Sequence, residues 1–331
     1  MKFSVIVPVF NCEKFLDELI ESVLKQECDD FELIIVDDCS TDKSLRICEK
    51  YASEDRRIKI LHKEKNGGSN SARKFGLEKA SGEYIVCLDG DDFLDLNYLS
   101  EFNKIINKTS CDVVCCGAHY LYSKKVVDYP LKRYCGFYEK QDIVDNIFPS
   151  LIHNYDASYF PPSVWGKAFR KSLFERCQMA VDDRIKIGED FACTIPCIAN
   201  ATSIYILEKC LYNYRQNMSS ITKSKKPIDP NGPFYIKESL EKNINLELFD
   251  FKEQLKRKTL HELFGIVVSM FYKKQKYKIT CKEINKILSI DFYRECIKTT
   301  HFRKSLRALL MLNALKHKWF FLMKIYSVIK R

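Results

Sequence analysis

The chain has 331 residues, of which 46% are hydrophobic and 30% are charged. This balance favours a folded protein of one large or two ordinary domains and excludes a disordered chain. No apolar run approaches the roughly 18 residues of a membrane-spanning helix, and the first strand, ending at Pro8, is too short for a signal-peptide core. The 15 cysteines are odd in number and lack a zinc-binding pattern. We therefore expect a cytoplasmic protein with reduced, mostly buried cysteines.

The net charge of +10 is unevenly distributed along the chain. Residues 231–331 contain 22 Lys and Arg against 9 Asp and Glu, whereas residues 1–230 contain 32 against 35. A polar, proline-rich stretch at 223–233 separates the two parts. We therefore expect a first domain at 1–222, a linker at 223–235 and a basic helical region at 236–331.

The first hundred residues alternate short apolar runs, rich in Ile and Val, with segments of helical apolar spacing. This order predicts an α/β fold, in which a mostly parallel central sheet has helices on both faces. From 111 to 222 strands and helices are mixed, and from 234 onward only helical patterns occur. The predicted strands are 3–7, 31–36, 58–61, 83–88, 113–116 and 204–207, and the predicted helices of the first domain are 13–26, 42–51, 71–80, 141–148 and 190–199.

Three carboxylates in four positions, Asp89, Asp91 and Asp92, directly follow the predicted strand 83–88. Like charges this close repel one another, so a fold retains them only with compensation. A hard divalent cation such as Mg²⁺ or Mn²⁺ is one compensator, because these ions prefer oxygen ligands and are often shared with a substrate's phosphates. The alternative is a solvated acidic turn that caps the helix starting near Asn97.

Polar or geometrically special residues follow three of the predicted parallel strands: Pro8, the pair Asp37 and Asp38, and the carboxylates 89–92. In open α/β sheets ligands bind beyond the carboxyl ends of the strands. The sequence therefore predicts a ligand site at this edge of the sheet.

Five motifs occur in order: Ser4–Asn11, Ile34–Asp42, Asn66–Arg73, Asp89–Asp92 and Gly188–Asp190. Together they resemble family 2 glycosyltransferases, inverting enzymes with the Rossmann-like GT-A fold that transfer a sugar from a nucleotide sugar. The resemblance covers about residues 1–222 and implies that this part is a GT-A catalytic domain followed by a helical C-terminal region. It also implies a transferase of the hexosyl or N-acetylhexosaminyl type, with a UDP-sugar donor and a glycan or lipid-linked oligosaccharide acceptor in surface polysaccharide or capsule biosynthesis.

The resemblance also implies roles for residues that match the family's motifs. Asp190, paired with Glu189, is expected to be the general base that deprotonates the acceptor hydroxyl. Mn²⁺ or Mg²⁺ would stabilise the leaving UDP. No histidine lies between Asp190 and His261, where some relatives supply a metal ligand, so the metal is expected to rely on carboxylates, diphosphate and water. The expected nucleotide-sugar residues are Pro8, Phe10, Asp38, Asn66, Arg73, Asp89, Trp165 and Arg215, and the expected metal ligands are Asp91 and Asp92.

Several of these residues also have structural interpretations. Asp38 and Asp190 are placed to cap or open helices, and Arg73 is a surface cation in the alternative reading. Trp165 is either a platform for the apolar side of a sugar ring or an ordinary core residue. The segment 212–215, with the following segment 219–222, resembles the part of the family's fold that closes over the diphosphate. Arg215 is expected to pair with the diphosphate, the alternative being a structural ion pair.

The segment 301–331 mixes basic residues with bulky apolar ones, a pattern typical of a helix lying on an anionic membrane. It predicts peripheral association with the inner face of the cell membrane, the alternative being charged helices packed on the catalytic domain. Nucleic acid is not expected as a partner, because no recognition motif accompanies the charge. Two other functions are alternatives: a sugar nucleotidyltransferase, which needs a glycine-rich loop after the first strand, and a non-catalytic glycan- or membrane-binding relative.

Overall fold

A computed structural model describes residues 1–216 and 226–329 of the chain. The chain divides into two compact units. The first consists of Met1–Asn146 and Pro162–Met218, and the second of Ile147–Pro161 and Ser219–Arg331. The segment Ile147–Pro161 therefore belongs to the second unit, although it lies within the predicted first domain at 1–222.

The sheet of the first unit begins with four parallel strands in the order β3-β2-β1-β4. Nearly all residues of β1, β2 and β4 are buried on both faces, which is why these strands read as continuous apolar runs. Phe3 of β1 pairs with Phe31 on one side and with Tyr84 on the other, so the carboxyl ends of these strands lie at one edge. The strands are β1 (Phe3–Val9), β2 (Phe31–Asp37), β3 (Ile58–His62) and β4 (Tyr84–Cys87).

Beyond β4 the ten-stranded sheet becomes mixed. β9 (Lys167–Arg170) runs antiparallel between β4 and β6, and β10 runs parallel to β6. The short strands β5 and β8 and the hairpin strand β7 pair antiparallel with these long strands. The prediction of an α/β fold with a large central sheet is confirmed, with parallel pairing concentrated in the four amino-terminal strands. The remaining strands are β5 (Phe93–Leu94), β6 (Val113–Tyr122), β7 (Lys125–Tyr129), β8 (Gly136–Glu139) and β10 (Ser203–Arg215).

The helices 16–24, 44–54, 68–77 and 189–200 agree with predicted helices to within three residues, and the helix 98–109 starts near Asn97, as expected. The helix 171–179 was not predicted from the sequence. Larger differences lie elsewhere: β10 extends eight residues beyond the end of the predicted strand 204–207 and includes the polar pair Glu208 and Lys209. The predicted helix 141–148 is α5 (Lys140–Asp142) followed by a π-turn at Ile143–Ile147, because Pro149 interrupts regular helix. The other helices are α1 (Leu16–Leu24), α2 (Ser44–Glu54), α3 (Gly68–Leu77), α4 (Tyr98–Thr109), α6 (Lys171–Met179) and α7 (Glu189–Asn200).

The second unit is helical, as predicted for the C-terminal region. Its helices share an apolar core that includes Leu263, Ile266, Ile284, Leu315 and Met323. Its first helix begins at Gly232, inside the predicted linker 223–235, of which residues 223–225 lie outside the described ranges. Within residues 1–216 and 226–329, no helix is both long and apolar enough to cross a membrane. The helices are α8 (Gly232–Asn243), α9 (Phe251–Ser269), α10 (Tyr277–Leu288), α11 (Asp291–Thr299), α12 (Leu306–Lys316) and α13 (Phe320–Ile329).

Gly76 lets α3 lie close to the sheet, and this contact can be tested. A Cβ at Gly76 would lie 2.7 Å from Cγ2 of Ile6 and 3.0 Å from Cγ2 of Val36, both stiff β-branched side chains. Gly76→Ala should therefore lower the free energy of unfolding of the first unit by about 1–3 kcal/mol, measured by urea unfolding. Gly265→Ala in α9 is the matched control, because only Cδ1 of Ile228, at 4.0 Å, is near its Cβ. The control should be neutral or stabilising by up to about 1 kcal/mol, and an equal loss in both variants would contradict the close packing of α3.

Candidate active site

The loops that follow β1 and β4 approach each other closely at the carboxyl edge of the sheet. A Cβ at Gly90 would lie 2.9 Å from the carbonyl oxygen of Pro8 and 3.0 Å from Sγ of Cys12, so any larger residue would push the loops apart. Phe10, just beyond β1, leaves 47% of its surface exposed. Pro8, Phe10 and the Asp-Gly-Asp-Asp loop (residues 89–92) therefore line one edge, as the sequence predicted.

Asp38 organises the turn between β3 and α3. Its carboxylate, 2% exposed, accepts hydrogen bonds from the backbone N–H groups of Gly67 and Gly68, the latter at 2.7 Å, and pairs with Lys63. The side-chain amide of Asn66 donates to the backbone carbonyl of Asp38 at 3.1 Å. Asp38 thus holds the start of α3 rather than capping α2, and it lies beside Asn66.

Arg73, in the middle of α3, is the buried centre of the site. With only 3% of its side chain exposed, its guanidinium donates from Nη1 to Oδ1 of Asp190 at 2.6 Å and from Nη2 to Oδ1 of Asp89 at 2.8 Å. Its Nε is buried without a hydrogen-bond partner among the described residues. Burial opposes the charge, but Asp190 and Asp89 outweigh it and raise the pKa of Arg73. The alternative of a surface cation is therefore excluded.

The carboxyl groups around Arg73 are held in a poorly solvated environment. Burial raises the pKa of Asp89 to about 6, with Arg73 opposing the shift and Asp190 adding to it. Burial, followed by the charge of Asp190, also raises the pKa of Glu189. Oε1 of Glu189 accepts a hydrogen bond from Oγ of Ser69 at 2.8 Å. One cation thus compensates several acidic groups that the chain brings together from distant positions.

Asp190 lies in the first turn of α7, where the helix dipole stabilises its negative charge. Gly188, with a φ of 94°, turns the chain into this helix, a conformation that favours glycine. Oδ1 of Asp190 bonds Arg73, and Oδ2 accepts from the backbone N–H of Val164 at 3.3 Å. Both oxygens are therefore oriented, and the carboxylate keeps 24% of its side-chain surface exposed.

Asp92 differs from its neighbours because it is completely buried. Its carboxyl group accepts from the hydroxyl of Tyr212 and from the backbone N–H of Arg215, each at 2.8 Å. Burial, with smaller contributions from Asp89 and Asp91, raises the pKa of Asp92 to about 9. Asp92 thus ties the 89–92 loop to the end of β10.

Arg215 also holds this loop. Its Nη1 donates to the carbonyl oxygen of Asp91 at 3.0 Å, and Nη2 pairs with Glu18. The guanidinium lies over the ring of Phe93, 4.7 Å from its centroid. The structural ion pair, one of the two interpretations of Arg215, is thus present, and the expected closing segment 219–222 lies outside the described residues.

Trp165 stacks on two tyrosines of β10. Its ring is 4.7 Å from that of Tyr212 and 5.1 Å from that of Tyr214, with interplanar angles of 15° and 19°. It is only partly buried and follows Val164, the residue that bonds Asp190. Trp165 therefore lies next to the site instead of deep in the core.

Sequence reasoning missed two side chains that order the site, Lys63 and Ser69, and it named Tyr212 only as part of the closing segment 212–215. Lys63 directly follows β3 and Ser69 opens α3, so their positions at the strand and helix ends were the available signal. The contact of Tyr212 with Asp92 gave no comparable signal, because the two residues are 120 positions apart in the chain. Within the described residues, no group of three or more His, Cys, Asp or Glu side chains is arranged to hold a metal ion.

Comparison with known proteins identifies the class of this site. The family described as Glycosyl transferase family 2 matches residues 4–177, slightly more than half of the chain. The chain therefore belongs to glycosyl transferase family 2 and is a glycosyltransferase of the GT-A fold. This outcome confirms the resemblance and decides against a nucleotidyltransferase or a non-catalytic binding protein.

Particular relatives agree with this assignment. The glycosyltransferase EpsJ of Bacillus subtilis is 30% identical over 337 residues, covering 98% of this chain and 94% of EpsJ. The poly(ribitol-phosphate) β-N-acetylglucosaminyltransferase TarS of Staphylococcus aureus is 31% identical over 65% of this chain and 35% of TarS. A crystal structure of TarS residues 1–349 with UDP matches 100% of this chain and 92% of that chain, with a TM-score of 0.67 and 21% identity. A mannosyltransferase of Pyrobaculum calidifontis, in complex with GDP-Man and Mn²⁺, matches with a TM-score of 0.54 and 14% identity.

Replacing Arg73 should lower the free energy of unfolding by an amount that depends on pH. Arg73→Met removes the cation that opposes the raised pKa of Asp89, so Asp89 should be still harder to ionise in the folded state and should take up a proton on folding. A carboxyl group whose pKa is higher in the folded than in the unfolded state binds a proton more readily when the protein is folded. Such a group favours folding at low pH and lowers the free energy of unfolding as the pH rises. Arg73→Met should therefore lose about 3–5 kcal/mol at pH 8 and clearly less at pH 5, measured by urea unfolding. An equal loss at both values would show that charge compensation is not what Arg73 supplies.

Proposed function

We propose that this protein is an inverting glycosyltransferase that moves a sugar from a UDP-sugar to a hydroxyl group of a glycan acceptor, with Asp190 as general base. The observation that carries the proposal is the double ion pair of Arg73 with Asp89 and Asp190. This contact joins the 89–92 loop, where the nucleotide is expected, to the first turn of α7, where the base is expected. A donor on one side and a base on the other is the arrangement that direct displacement requires.

The uridine pocket is assigned to the loops after β1, β2 and β3. Phe10 offers an exposed aromatic ring for stacking with a base. Asp38 donates its backbone N–H to the carbonyl oxygen of Val9, the residue before Phe10, at 2.8 Å, and it lies beside Asn66. Its carboxylate is fixed by Gly67, Gly68 and Lys63. A carboxylate has about four acceptor positions, so Asp38 can hold the α3 turn and still accept from the N–H of uracil. Asp89, at the end of β4, is assigned to the ribose.

A divalent cation, Mn²⁺ or Mg²⁺, is assigned to Asp91 together with the donor diphosphate and water. The residues present fit such a shared ion, because these metals are commonly held by one or two carboxylates plus substrate phosphates. Asp92 is the weaker of the two expected ligands, since it is fully buried and both of its oxygens already accept hydrogen bonds. When bound, the cation would stabilise the charge that develops on the departing diphosphate.

The chain's own residues account for the proton transfer. Asp190 is oriented by Arg73 and by the N–H of Val164, and its remaining lone pairs face the acceptor in our assignment. As the acceptor oxygen attacks the anomeric carbon, Asp190 takes the hydroxyl proton, and the bond to UDP breaks on the opposite face. A positioned base of this kind contributes roughly 10²–10⁴-fold to the rate.

The acceptor class is proposed from the relatives and is a bacterial surface polysaccharide. TarS is named for transfer of N-acetylglucosamine to poly(ribitol phosphate), and its solved structures include complexes with UDP and UDP-GlcNAc. These names support a UDP-linked hexose or N-acetylhexosamine as donor. They also support a polymeric glycan, free or linked to a lipid, as acceptor.

Asp190→Asn tests the proposed base. The variant should bind UDP as the wild type does. Release of the nucleoside diphosphate, UDP from UDP-sugars and GDP from GDP-sugars, should fall roughly 10²–10⁴-fold in the presence of Mn²⁺ for whichever donor the wild type uses. Asp291→Asn is the matched control, because Asp291 also opens a helix, α11, yet is 90% exposed and belongs to the second unit. It should leave UDP release unchanged. Normal turnover by Asp190→Asn would remove Asp190 from the mechanism.

We further propose that the second unit associates with anionic membranes through α13 and the adjoining basic residues. Five large apolar residues of α13 are exposed, whereas Met323 and Ser327 face the core. This reverses the usual arrangement of a surface helix, whose apolar stripe faces inward. Exposed basic residues occur on α13 and in the segment that precedes it, as expected for a peripheral membrane helix. The exposed apolar residues of α13 are Phe321, Leu322, Ile325, Val328 and Ile329, and the nearby exposed basic residues are Arg303, Lys304, Arg307, Lys316, Lys318 and Lys324.

Substitution is a better test of membrane binding than truncation, because Met311, Leu315 and Met323 belong to the apolar core of the second unit. The double variant Phe321→Ser, Ile325→Ser should bind vesicles containing phosphatidylglycerol at least roughly tenfold more weakly than the wild type. Wild-type binding should weaken as salt is added. Ile279→Ser, at an exposed apolar position of α10, is the control and should bind normally. Equal partitioning of all three proteins would refute membrane association through α13.

A further inference from the structure

Aromatic side chains form a continuous line across one face of the sheet, starting beside Asp190. The register of β6, β7 and β10 places them together: Tyr214 is opposite Tyr120, and Ala118, two residues before Tyr120, is opposite Tyr129. Residues opposite each other, or two apart on one strand, share a face of the sheet. We call Trp165, Tyr214, Tyr120 and Tyr129 the aromatic ladder.

Consecutive rings of the ladder are in contact. The ring centroids of Trp165 and Tyr214 are 5.1 Å apart, those of Tyr214 and Tyr120 are 5.0 Å apart, and those of Tyr120 and Tyr129 are 4.3 Å apart. Trp165, Tyr214 and Tyr120 are partly buried, whereas Tyr129 is 49% exposed. The ladder thus becomes more exposed with distance from Asp190.

The inner end of the ladder is fixed to the proposed reaction centre. Val164, which precedes Trp165, donates its N–H to Asp190. The carbonyl oxygen of Ser163 accepts from the buried Nζ of Lys167 at 2.7 Å and from the hydroxyl of Thr194 at 3.2 Å. The 163–165 loop therefore has little freedom to move, and Trp165 keeps a set position next to the base.

We propose that the aromatic ladder binds the acceptor as an extended oligosaccharide of several pyranose units, with its reacting end at Asp190. This inference rests on the proposed function, because it takes Asp190 as the base. Pyranose rings present apolar C–H faces that pack on aromatic rings, and tyrosine adds a hydroxyl that bonds sugar hydroxyls. Three ring-to-ring steps reach farther than a single sugar, so the ladder favours an oligomer over a monosaccharide.

The alternative is that the aromatic ladder only stabilises the sheet. Aromatic pairs across neighbouring strands stabilise sheets by roughly 0.2–1 kcal/mol each, and the hairpin of β6 and β7 would gain from them. Stabilisation alone predicts that removing an outer ring changes the unfolding temperature and has no effect specific to long glycans. Binding predicts an effect on long glycans that short ones do not show.

Trp165 provides the signal for the test. The chain has two tryptophans, so Trp319→Phe leaves Trp165 as the sole indole fluorophore. With UDP and Mn²⁺ present, this full-length protein is titrated with monosaccharides and with linear hexasaccharides of glucose, mannose, galactose and N-acetylglucosamine. At least one hexasaccharide should bind roughly tenfold or more tightly than its monosaccharide. Tyr129→Leu, in the same background, should abolish that difference, and Tyr122→Ala, at the exposed end of the same face, should reduce it.

Phe137→Ala is the matched control, because Phe137 is a similarly exposed aromatic residue on β8, at the other end of β10 from Tyr214. It should keep the preference for the hexasaccharide. The proposal is overturned if no hexasaccharide outcompetes its monosaccharide, or if Tyr129→Leu and Tyr122→Ala both retain the preference. UDP binding and UDP release without acceptor are measured on the same proteins. If the wild type neither binds UDP nor releases it from a donor, the proposed function is refuted. If it does both but shows no preference for long glycans, only the proposed role of the aromatic ladder is refuted.

Discussion

The ion pairs of Arg73 are the constraint on which the site depends. Two acidic segments, the 89–92 loop and the adjacent pair Glu189 and Asp190, lie about a hundred residues apart in the chain, and their charges repel one another. A single buried guanidinium, on a helix that Gly76 allows close to the sheet, compensates Asp89 and Asp190 together. Arginine suits this task better than lysine, because its planar fork bonds two carboxylates at once. The ion pairs thereby link the position of Asp190, the proposed base, to that of the 89–92 loop, where we propose that the nucleotide binds.

The carboxylates of the site have different environments, and their roles follow from these. Asp92, buried under Tyr212 and held by the backbone of Arg215, joins the 89–92 loop to β10. Asp89 faces Arg73, and Asp190 keeps enough exposure to meet an acceptor. Asp91 is the member of the acidic loop that we assign to the metal. In the proposed function, the three acidic residues among positions 89–92 therefore take structural, nucleotide-binding and metal-binding roles, a division that residue types alone do not specify.

How well the sequence predicts each part of the structure depends on how far apart in the chain the interacting residues are. Local patterns were sufficient for the β1 to β4 core and for the 89–92 loop, because apolar runs and loop carboxylates are adjacent in the chain. The resemblance to family 2 located Asp190 and Arg73, but not the contact between them, which spans 117 residues. The full length of β10 was missed because Glu208 and Lys209 interrupt its apolar pattern. Residues 147–161 belong to the second unit because they contact α9, a partner that the sequence does not reveal. Gln254 of α9 accepts a hydrogen bond from the N–H of Ile152 and donates one to the carbonyl oxygen of Phe148.

A crystal structure of the protein with UDP and Mn²⁺, with the metal located by anomalous scattering, tests the central claim most directly. The account predicts Mn²⁺ at Asp91 and on the diphosphate, uracil between Phe10 and Asp38, and the open side of the diphosphate facing Asp190. Asp92 should stay bonded to Tyr212 and outside the coordination sphere. Mn²⁺ on Asp92, or UDP bound away from the Arg73 cluster, would contradict the account.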